Sequence, residues 1–281
     1  MIVMRRIIFI LVIFQISTIS LLSQEKNCPP VRVLSVKDLP FADGESLSYS
    51  VTYNWGSVVT EVGEARTTLR YVGDGSTSPY FHAVVKGNTY KFFDMFFKVR
   101  DHYESKFYAS DIRPFYFHRN VHEGKYRMKN TFTWFPDYSL RSVTQKYDNP
   151  QKDTLLRGSR CTYDILTMFY YARNIDFSNA VVGEKQPISF VIDDEIYEIY
   201  YRYLGREVKK IPGMGTYTTI KFAARLVAGT VFRGDKEMII WVTDDANKIP
   251  LSFEMEIIVG KVYGRLTATK NLKYALTSRI K

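Results

Sequence analysis

Residues 46–55 read SLSYSVTYNW, and this stretch alternates between small polar side chains and large apolar ones. Leu47, Tyr49 and Val51 fall on one face of an extended chain, while the serines between them fall on the other. A period of two is the pattern of a half-buried antiparallel strand. The stretch therefore predicts a strand with one face packed in a core.

The same alternation returns along much of the chain. Residues 125–134 read KYRMKNTFTW and residues 251–259 read LSFEMEIIV, with large and mostly apolar side chains at every second position. Turn-forming residues such as Gly73-Asp74-Gly75 and Pro136-Asp137 separate such stretches. Short strands joined by tight turns predict a mainly β fold, either a large curved antiparallel sheet or a half-open β-barrel.

Composition narrows the class of protein. The 281 residues are 46% hydrophobic and 24% charged, which is ordinary for a globular protein and excludes a disordered chain. Aromatic residues make up 15% of the chain, and tyrosine and phenylalanine favour β structure. The 4 histidines and 2 cysteines are too few for a multi-zinc or disulfide-rich protein. The net charge of +10 indicates a basic surface.

One segment replaces the alternation with a helical pattern. Residues 162–173 read TYDILTMFYYAR, and apolar side chains such as Ile165 and Phe169 recur at helical spacing. Thr162 is a suitable N-cap, and Asp164 suits the first turn because a carboxylate interacts favourably with the positive end of the helix dipole. We therefore predict one helix over residues 162–173.

A second segment is rich in phenylalanine. Residues 90–98 read YKFFDMFFK, which is compatible with a short helix or with a loop that acts as a lid. Its four phenylalanines are Phe92, Phe93, Phe96 and Phe97. Two interpretations stay open at this point, because the rings could fill the core or form a partly exposed hydrophobic flap.

The first residues resemble a signal sequence for export. Arg5-Arg6 precede an apolar run, and small residues follow near Ser23, which is the pattern of a cleaved secretory signal peptide. We expect a signal peptide over residues 1–23 and a single β-rich domain over residues 24–281, whose two sheet halves could be joined around residues 149–183. The expected location is the periplasm or the extracellular space of a Gram-negative bacterium, with no transmembrane segment after cleavage.

Catalytic chemistry has no clear signature in this sequence. Phosphate-binding, nucleophile-elbow and zinc-protease motifs do not occur in it. His118 and His122 lie four residues apart and are too few for a metal site without acidic support. The pairs Asp193-Asp194 and Asp244-Asp245 lie at predicted turns, where aspartate binds backbone amides. We therefore expect a protein that is not an enzyme, with no catalytic residue, no metal and no cofactor.

The two cysteines are far apart in sequence. Cys28 would lie near the start of the exported chain, and Cys161 immediately precedes the predicted helix. In an oxidising compartment the two thiols could form one disulfide that pins the N-terminal segment. A free, buried Cys161 is the alternative.

Basic residues cluster around one predicted hairpin. They are Arg119, Lys125, Arg127 and Lys129. A solvated polar face is one interpretation of this basic surface, and attraction to acidic lipid headgroups or to an anionic polysaccharide is the other. Nucleic acid is not an expected partner, because no recognition motif is present.

Several short motifs follow one another in a distinctive order. They are Phe41 with Gly44-Glu45, Val62-Gly63-Glu64-Ala65, Phe117-His118-Arg119, Tyr163-Asp164-Ile165-Leu166, and Ile240-Trp241-Val242-Thr243-Asp244-Asp245. In this order they resemble domain-of-unknown-function family 3108, a family of exported bacterial proteins. The resemblance spans nearly the whole chain after the predicted signal peptide. It implies no activity, substrate or site residue, because the family's label carries none.

A more distant similarity concerns the last third of the chain. Residues 241–251 and the strand broken at Gly260 are similar to periplasmic lipoprotein carriers, which are half-open β-barrels with a hydrophobic concave face capped by helices. This similarity is one of fold, and fold does not fix function. It implies that a ligand would lie on the concave face, beneath the predicted helix and the phenylalanine-rich segment.

Two hypotheses for function follow. In the first, the protein is a non-catalytic binding or carrier module for an apolar or amphipathic ligand of the cell envelope, such as a lipid or a lipoprotein. Its ligand-binding residues would then be Phe92, Phe93, Phe96, Phe97 and Phe169. In the second, it is a structural or assembly protein whose aromatic residues only fill the core. An open apolar groove favours the first hypothesis and a filled barrel favours the second.

Overall fold

The computed structural model describes residues 35–73, 75, 78–225 and 236–280. The predicted signal peptide and Cys28 lie outside the described residues. Within the described ranges, no helix is both long and apolar enough to cross a lipid bilayer.

Fifteen strands form a single sheet, which confirms the predicted mainly β fold. The strands are β1 (Ser46–Trp55), β2 (Val58–Val72), β3 (Tyr80–Thr89), β4 (Arg100–Tyr108), β5 (Pro114–Glu123), β6 (Tyr126–Trp134), β7 (Ser139–Lys146), β8 (Lys152–Arg157), β9 (Thr162–Tyr163), β10 (Lys185–Ile192), β11 (Glu195–Ile211), β12 (Gly215–Arg225), β13 (Glu237–Thr243), β14 (Pro250–Glu256) and β15 (Lys261–Lys270). Every neighbouring pair is antiparallel except β9 and β10. The two halves of the chain meet where β1 pairs with β15.

The sheet is open, yet its two edges are held close to each other. Its strand order runs from β8 at one edge, through β1 and β15 in the middle, to β9 at the other edge. These two edge strands are consecutive in the chain, and only residues 158–161 join them. The step from residue 157 to residue 162 can span at most about 18 Å. The sheet must therefore curl around a concave face without closing into a barrel.

The predicted helix is present but shorter than residues 162–173. The helix α1 spans Ile165–Ala172, and Thr162–Tyr163 form the edge strand β9 instead. Asp164 rather than Thr162 is the N-cap, because its carboxylate accepts hydrogen bonds from the backbone N–H groups of Leu166 and Thr167. In the phenylalanine-rich segment, Phe93–Met95 form a single turn of 3-10 helix.

The helix lies on the concave face and fills part of it. It packs against strands from both halves of the sheet, namely β3, β4, β9 and β10. The main core combines helix residues with inward-facing aromatic and aliphatic side chains. Its large members include Phe41, Phe81, Phe107, Phe117, Phe132, Tyr163, Tyr170, Tyr171, Phe177, Phe190 and Phe222. Edge-to-face contacts between these rings, such as the 5.0 Å contact of Phe41 with Tyr170, join the helix to the strands.

One hairpin turn crosses the concave face and binds the opposite half of the sheet. The turn between β10 and β11 contains Asp193 and Asp194, as the sequence predicted. Asp193 forms an ion pair with Arg119 of β5. Asp194 accepts hydrogen bonds from Ser142 and Thr144 of β7, at 2.9 and 2.8 Å. These contacts connect the two halves of the curled sheet across its concave face.

The predicted strand over residues 251–259 is wrong at its end. Strand β14 stops at Glu256, and Ile258 and Val259 lie in an exposed turn. Gly260 causes the stop, because its φ of +88° is strained for other residues. A Cβ atom at Gly260 would lie 2.3 Å from the carbonyl oxygen of Asn54, so only glycine fits here.

A buried ion pair fixes the end of the helix. Arg173 is 1% exposed, and its guanidinium donates to both carboxylate oxygens of Glu45, which is also 1% exposed. The remaining donors bind the carbonyl oxygens of Pro40 and Asn247, both at 3.0 Å. These partners come from the segment before β1 and from the turn between β13 and β14. One side chain therefore ties three distant parts of the chain together.

We expect the substitution Arg173→Met to destabilise the fold by about 3–5 kcal/mol, because it leaves the Glu45 carboxylate buried without its partner. Urea unfolding followed by circular dichroism measures this loss. Arg141→Met is the matched control, since Arg141 forms its ion pair with Asp153 in solvent and should shift the midpoint little. Equal midpoints for the two variants would show that the buried pair has no special role.

Candidate functional site

The concave face is buried at one end of the strands and accessible to water at the other. Along β3, Phe81 and Ala83 are 2% and 1% exposed, whereas Val85 and Gly87 on the same face are partly exposed. We call the first end the closed end. The second end, which carries the β1–β2, β3–β4, β5–β6 and β14–β15 connections, is the open end.

The other half of the sheet shows the same gradient. In β13, Val242 is buried and Ile240 is partly exposed, although both face inward. In β14, Leu251 is fully buried, and Phe253 is partly exposed. Inward-facing apolar residues normally lose all contact with water. The open end of the concave face is therefore only partly filled: Val121 and Met128 are still buried on the β5–β6 side, whereas the apolar residues of β3, β13 and β14 reach water.

The position of the helix explains this gradient. Its N-cap Asp164 accepts a hydrogen bond from Ser105 of β4 at 3.0 Å, and beyond its C-terminus Arg173 binds residues at the closed end. The helix therefore crosses the concave face at the closed end, and nearer the open end the β10–β11 turn crosses it to reach Arg119 and β7. We call the part that neither element covers, along β3, β13 and β14, the groove.

The helix also presents an apolar face of its own. Leu166, Thr167, Tyr170 and Tyr171 are buried, but Ile165 is 45% exposed. Met168 and Phe169 are partly exposed as well, at the i+3 and i+4 positions. They belong to the same apolar cluster as Val85, Tyr103 and Ile240. The sequence prediction that Phe169 borders a ligand site is therefore compatible with where it lies.

Polar groups line the groove on the β4–β5 side. Tyr103 of β4 lies between Val85 and Arg119 in the neighbouring strands. Arg119 is 7% exposed, and its Nε atom has no hydrogen-bond partner. Asp101 lies on the same face, two residues nearer the open end. An apolar surface therefore adjoins a small group of buried and partly buried polar side chains.

The carboxyl group of Asp101 has an unusual pKa. Burial, together with the nearby charge of Glu123 and a hydrogen bond to it, raises the pKa of the Asp101 carboxyl to about 7. The backbone N–H of His122 donates to Asp101 at 3.1 Å and Arg119 lies nearby, and both oppose this shift. Near neutral pH the Asp101 carboxyl is therefore protonated in part of the molecules.

The phenylalanine-rich segment lies at the open end and is not core. Phe92, Phe96 and Phe97 are 62%, 74% and 55% exposed, and Phe93 is partly exposed. Of the two interpretations open from the sequence, this favours the exposed flap. The segment borders the groove, and the described contacts do not place its rings over Phe169.

Three of the four residues of the predicted basic surface are exposed, and the fourth is buried. Lys125, Arg127 and Lys129 are exposed. Arg119 faces inward instead, because it shares the face of β5 that carries the buried Phe117 and Val121. The alternation of that strand already indicated this orientation.

Cys161 is 4% exposed and takes part in a disulfide. Its predicted partner, Cys28, lies outside the described residues, so the pairing stays a prediction.

The remaining candidate residues form no joint site. The imidazole Nδ1 of His118 lies 2.9 Å from the hydroxyl of Thr131, whereas the described contact of His122 is through its backbone. Asp245 accepts from the backbone N–H of Asn247 within its turn, as predicted. Among the described residues, no group of three or more His, Cys, Asp and Glu side chains could hold a metal ion.

Sequence reasoning missed the polar side of the groove. Asp101, Tyr103 and Glu123 were not candidates, although each shares a strand face with a core phenylalanine. The available signal was an acidic residue on the same strand face as Phe107 or Phe117. Charged side chains on a core-facing side are rare unless a partner or a function requires them.

The chain is similar to several proteins. The family described as "Protein of unknown function (DUF3108)" matches residues 48–267. A β-barrel-like DUF1849 protein from Brucella abortus has 9% identity and a TM-score of 0.51, over 82% of this chain and 98% of that one. A hypothetical protein from Chlamydia trachomatis has 7% identity and a TM-score of 0.34, over 88% and 97%. No curated protein matches the chain. The first structure supports the fold alone.

We expect Asp101→Asn to change how stability depends on pH. The raised pKa means that the folded protein binds a proton more tightly than the unfolded one, so wild-type stability falls as pH rises from about 4 to about 7. The variant lacks this loss. Its free energy of unfolding should therefore rise relative to that of the wild type by about 1–2 kcal/mol between pH 5 and pH 8, where the figure allows for screening by water at a partly exposed group.

Urea unfolding at several pH values measures this difference. Asp137→Asn is the control. A hydrogen bond from Ser139 lowers the pKa of Asp137, so its carboxylate is ionised in both the folded and the unfolded protein throughout this range. A difference between Asp101→Asn and wild type that stays constant from pH 5 to pH 8 would contradict the raised pKa of Asp101.

Proposed function

The chain belongs to the DUF3108 family, and we propose that this protein is a non-catalytic carrier that binds an amphipathic ligand in its groove. The observation behind this proposal is the gradient of burial on the concave face. Soluble proteins seldom leave a continuous apolar surface open to water unless it contacts something.

The shape of the groove favours a ligand over a partly filled core. Apolar side chains line it from β3, from β13 and β14, and from the free face of the helix. Binding sites for small molecules combine such a lining with a few polar groups that fix orientation. Here the polar groups are concentrated on the β4–β5 side, so the ligand should have an apolar body and a polar head.

The polar side also suggests the chemistry of that head. The Arg119 guanidinium is a hydrogen-bond donor, and so is the Asp101 carboxyl when it is protonated. An anionic or zwitterionic head, such as the carboxylate of a fatty acid or the phosphate of a lysophospholipid, would accept from them. Arg119 would have to share its donors between Asp193 and this head.

We further infer that the protein works in the cell envelope. The sequence of residues 1–23 is typical of a secretory signal peptide, and lipids and lipoproteins are the abundant amphipathic molecules outside the cytoplasm. An enzyme is not proposed, because the polar groups of the groove include no nucleophile paired with a base.

The alternative is a structural or assembly protein of the envelope. It is favoured by the closed end, where buried aromatic side chains of the helix and the strands pack against one another. In that case the open end would bind another protein rather than a small ligand.

We expect the wild-type protein to bind a dansyl-labelled undecanoic acid, with an increase and a blue shift in fluorescence. Val85→Gln should weaken this binding at least about fivefold, because it places an amide without partners in the apolar groove. Val84→Gln is the matched control: the neighbouring valine faces outward and is also partly exposed. It should bind as the wild type does.

Two results would count against the carrier. The first is a folded wild-type protein that does not change the fluorescence of the probe, which would leave the structural role. The second is an equal loss of affinity in both valine variants, which would place the probe outside the groove.

A further inference from the structure

Large apolar side chains are exposed at the tips of three connections at the open end. We call them the apolar rim. They are Trp55, Val58 and Val59 at the β1–β2 turn, Phe92, Met95, Phe96 and Phe97 between β3 and β4, and Ile258 and Val259 at the β14–β15 turn. Phe96 and Met95 are 74% and 73% exposed, so water surrounds most of each side chain.

The three tips form one continuous surface. Strands β15, β1, β2 and β3 are consecutive in the sheet, so their connections lie side by side. The Tyr53 hydroxyl donates to the carbonyl oxygen of Val259 at 2.8 Å, which joins the first tip to the third. The backbone N–H of Tyr90 donates to the carbonyl oxygen of Val62 at 3.0 Å, which joins the second tip to β2.

Hydrogen bonds hold the phenylalanine-rich tip in its outward orientation. The Asp94 carboxylate accepts from the hydroxyl of Thr89 at 2.6 Å and from Arg100 at 3.0 Å. The backbone N–H of Gly124 donates to the carbonyl oxygen of Lys98 at 2.8 Å. A Cβ atom at Gly124 would lie 2.8 Å from the ring of Phe97, so this glycine allows the ring to approach the next turn. The exposure of these rings is therefore built into the fold.

The charges along the rim are mainly positive. Its acidic residues are neutralised locally, since Asp94 pairs with Arg100, and Glu256 pairs with Lys236 and Lys261. Lys91 and Lys98, which flank the phenylalanines, are exposed and take part in no ion pair among the described residues. Lys125 and Arg127, on the adjacent β5–β6 hairpin, are also exposed.

We propose that the apolar rim docks this protein on the surface of a lipid bilayer that contains anionic lipids. Aromatic and aliphatic side chains at the tips would enter the boundary between headgroups and acyl chains, as the apolar faces of interfacial helices do. The lysines beside them would remain at the level of the headgroups and bind their phosphates. Positive charge around an apolar centre matches such a surface and would repel a basic partner.

This docking has a direct consequence for the groove. The rim borders its open end, so a protein docked in this way would present the groove to the bilayer. An apolar ligand could then move between the membrane and the groove without crossing water. Only this last step requires the carrier function proposed above, because the docking itself follows from the rim.

The test is binding of the full chain to vesicles of phosphatidylcholine and phosphatidylglycerol, measured by co-sedimentation. We expect wild-type protein to bind, and the double variant Phe96→Ser with Phe97→Ser to bind at least about tenfold more weakly. Val181→Ser with Val182→Ser is the matched control. These valines are 64% and 63% exposed but lie at the closed end, and their loss should leave vesicle binding unchanged.

A second pair of variants separates the charge from the apolar contact. Lys91→Glu with Lys98→Glu should weaken binding about tenfold on vesicles with phosphatidylglycerol, and much less on pure phosphatidylcholine. Added salt should reduce the difference between the two kinds of vesicle.

Three outcomes would overturn the proposal. They are no vesicle binding by the folded wild type, an equal loss in the rim and closed-end variants, and a wild-type dimer without vesicle binding that the Phe96–Phe97 variant converts to a monomer. The last outcome would assign the rim to a second copy of this chain. Membrane docking and the carrier function can be tested separately. Val85→Gln should keep vesicle binding while it loses the dansyl probe, and the Phe96–Phe97 variant should lose vesicle binding while it still binds the probe in solution.

Discussion

The buried ion pair between Arg173 and Glu45 is the constraint on which the rest of this structure depends. A guanidinium and a carboxylate that are both nearly inaccessible to water are tolerated only when the whole set of donors and acceptors is matched. Here the match requires Pro40 and Asn247 as well. The segment before β1, the helix and the β13–β14 turn must therefore meet at a single point, and that point is the closed end of the concave face.

Fixing the helix at the closed end leaves the other end only partly filled for a simple geometric reason. A helix of 8 residues is about 12 Å long and about 10–12 Å across. A strand of 10 residues is about 33 Å long. A helix that crosses the strands covers only about a third of their length. The β10–β11 turn also reaches this end, yet inward-facing apolar residues such as Val85 and Ile240 stay partly exposed.

The two ends consequently have different chemistry. At the closed end, ring contacts and the Arg173–Glu45 ion pair hold the helix against the sheet. Nearer the open end, the Asp193-Asp194 turn crosses to β5 and β7 beside a partly apolar groove, and this groove adjoins a rim of outward-facing aromatic residues. Leaving apolar surface in water reduces stability, and the filled core at the closed end offsets this cost.

The sequence by itself determined the strands, because the period of two in stretches such as residues 46–55 is a local property of an extended chain. It also determined the helix to within three residues at its start. Only the tertiary structure decided that the four phenylalanines of residues 92–97 are exposed or partly exposed rather than core, and that the inward-facing Arg119 pairs with Asp193. The partner of Arg119 could not be predicted because Asp193 lies 74 positions away in the sequence. The groove is a tertiary property for the same reason: which inward-facing residues remain exposed is set by where Arg173 holds the helix.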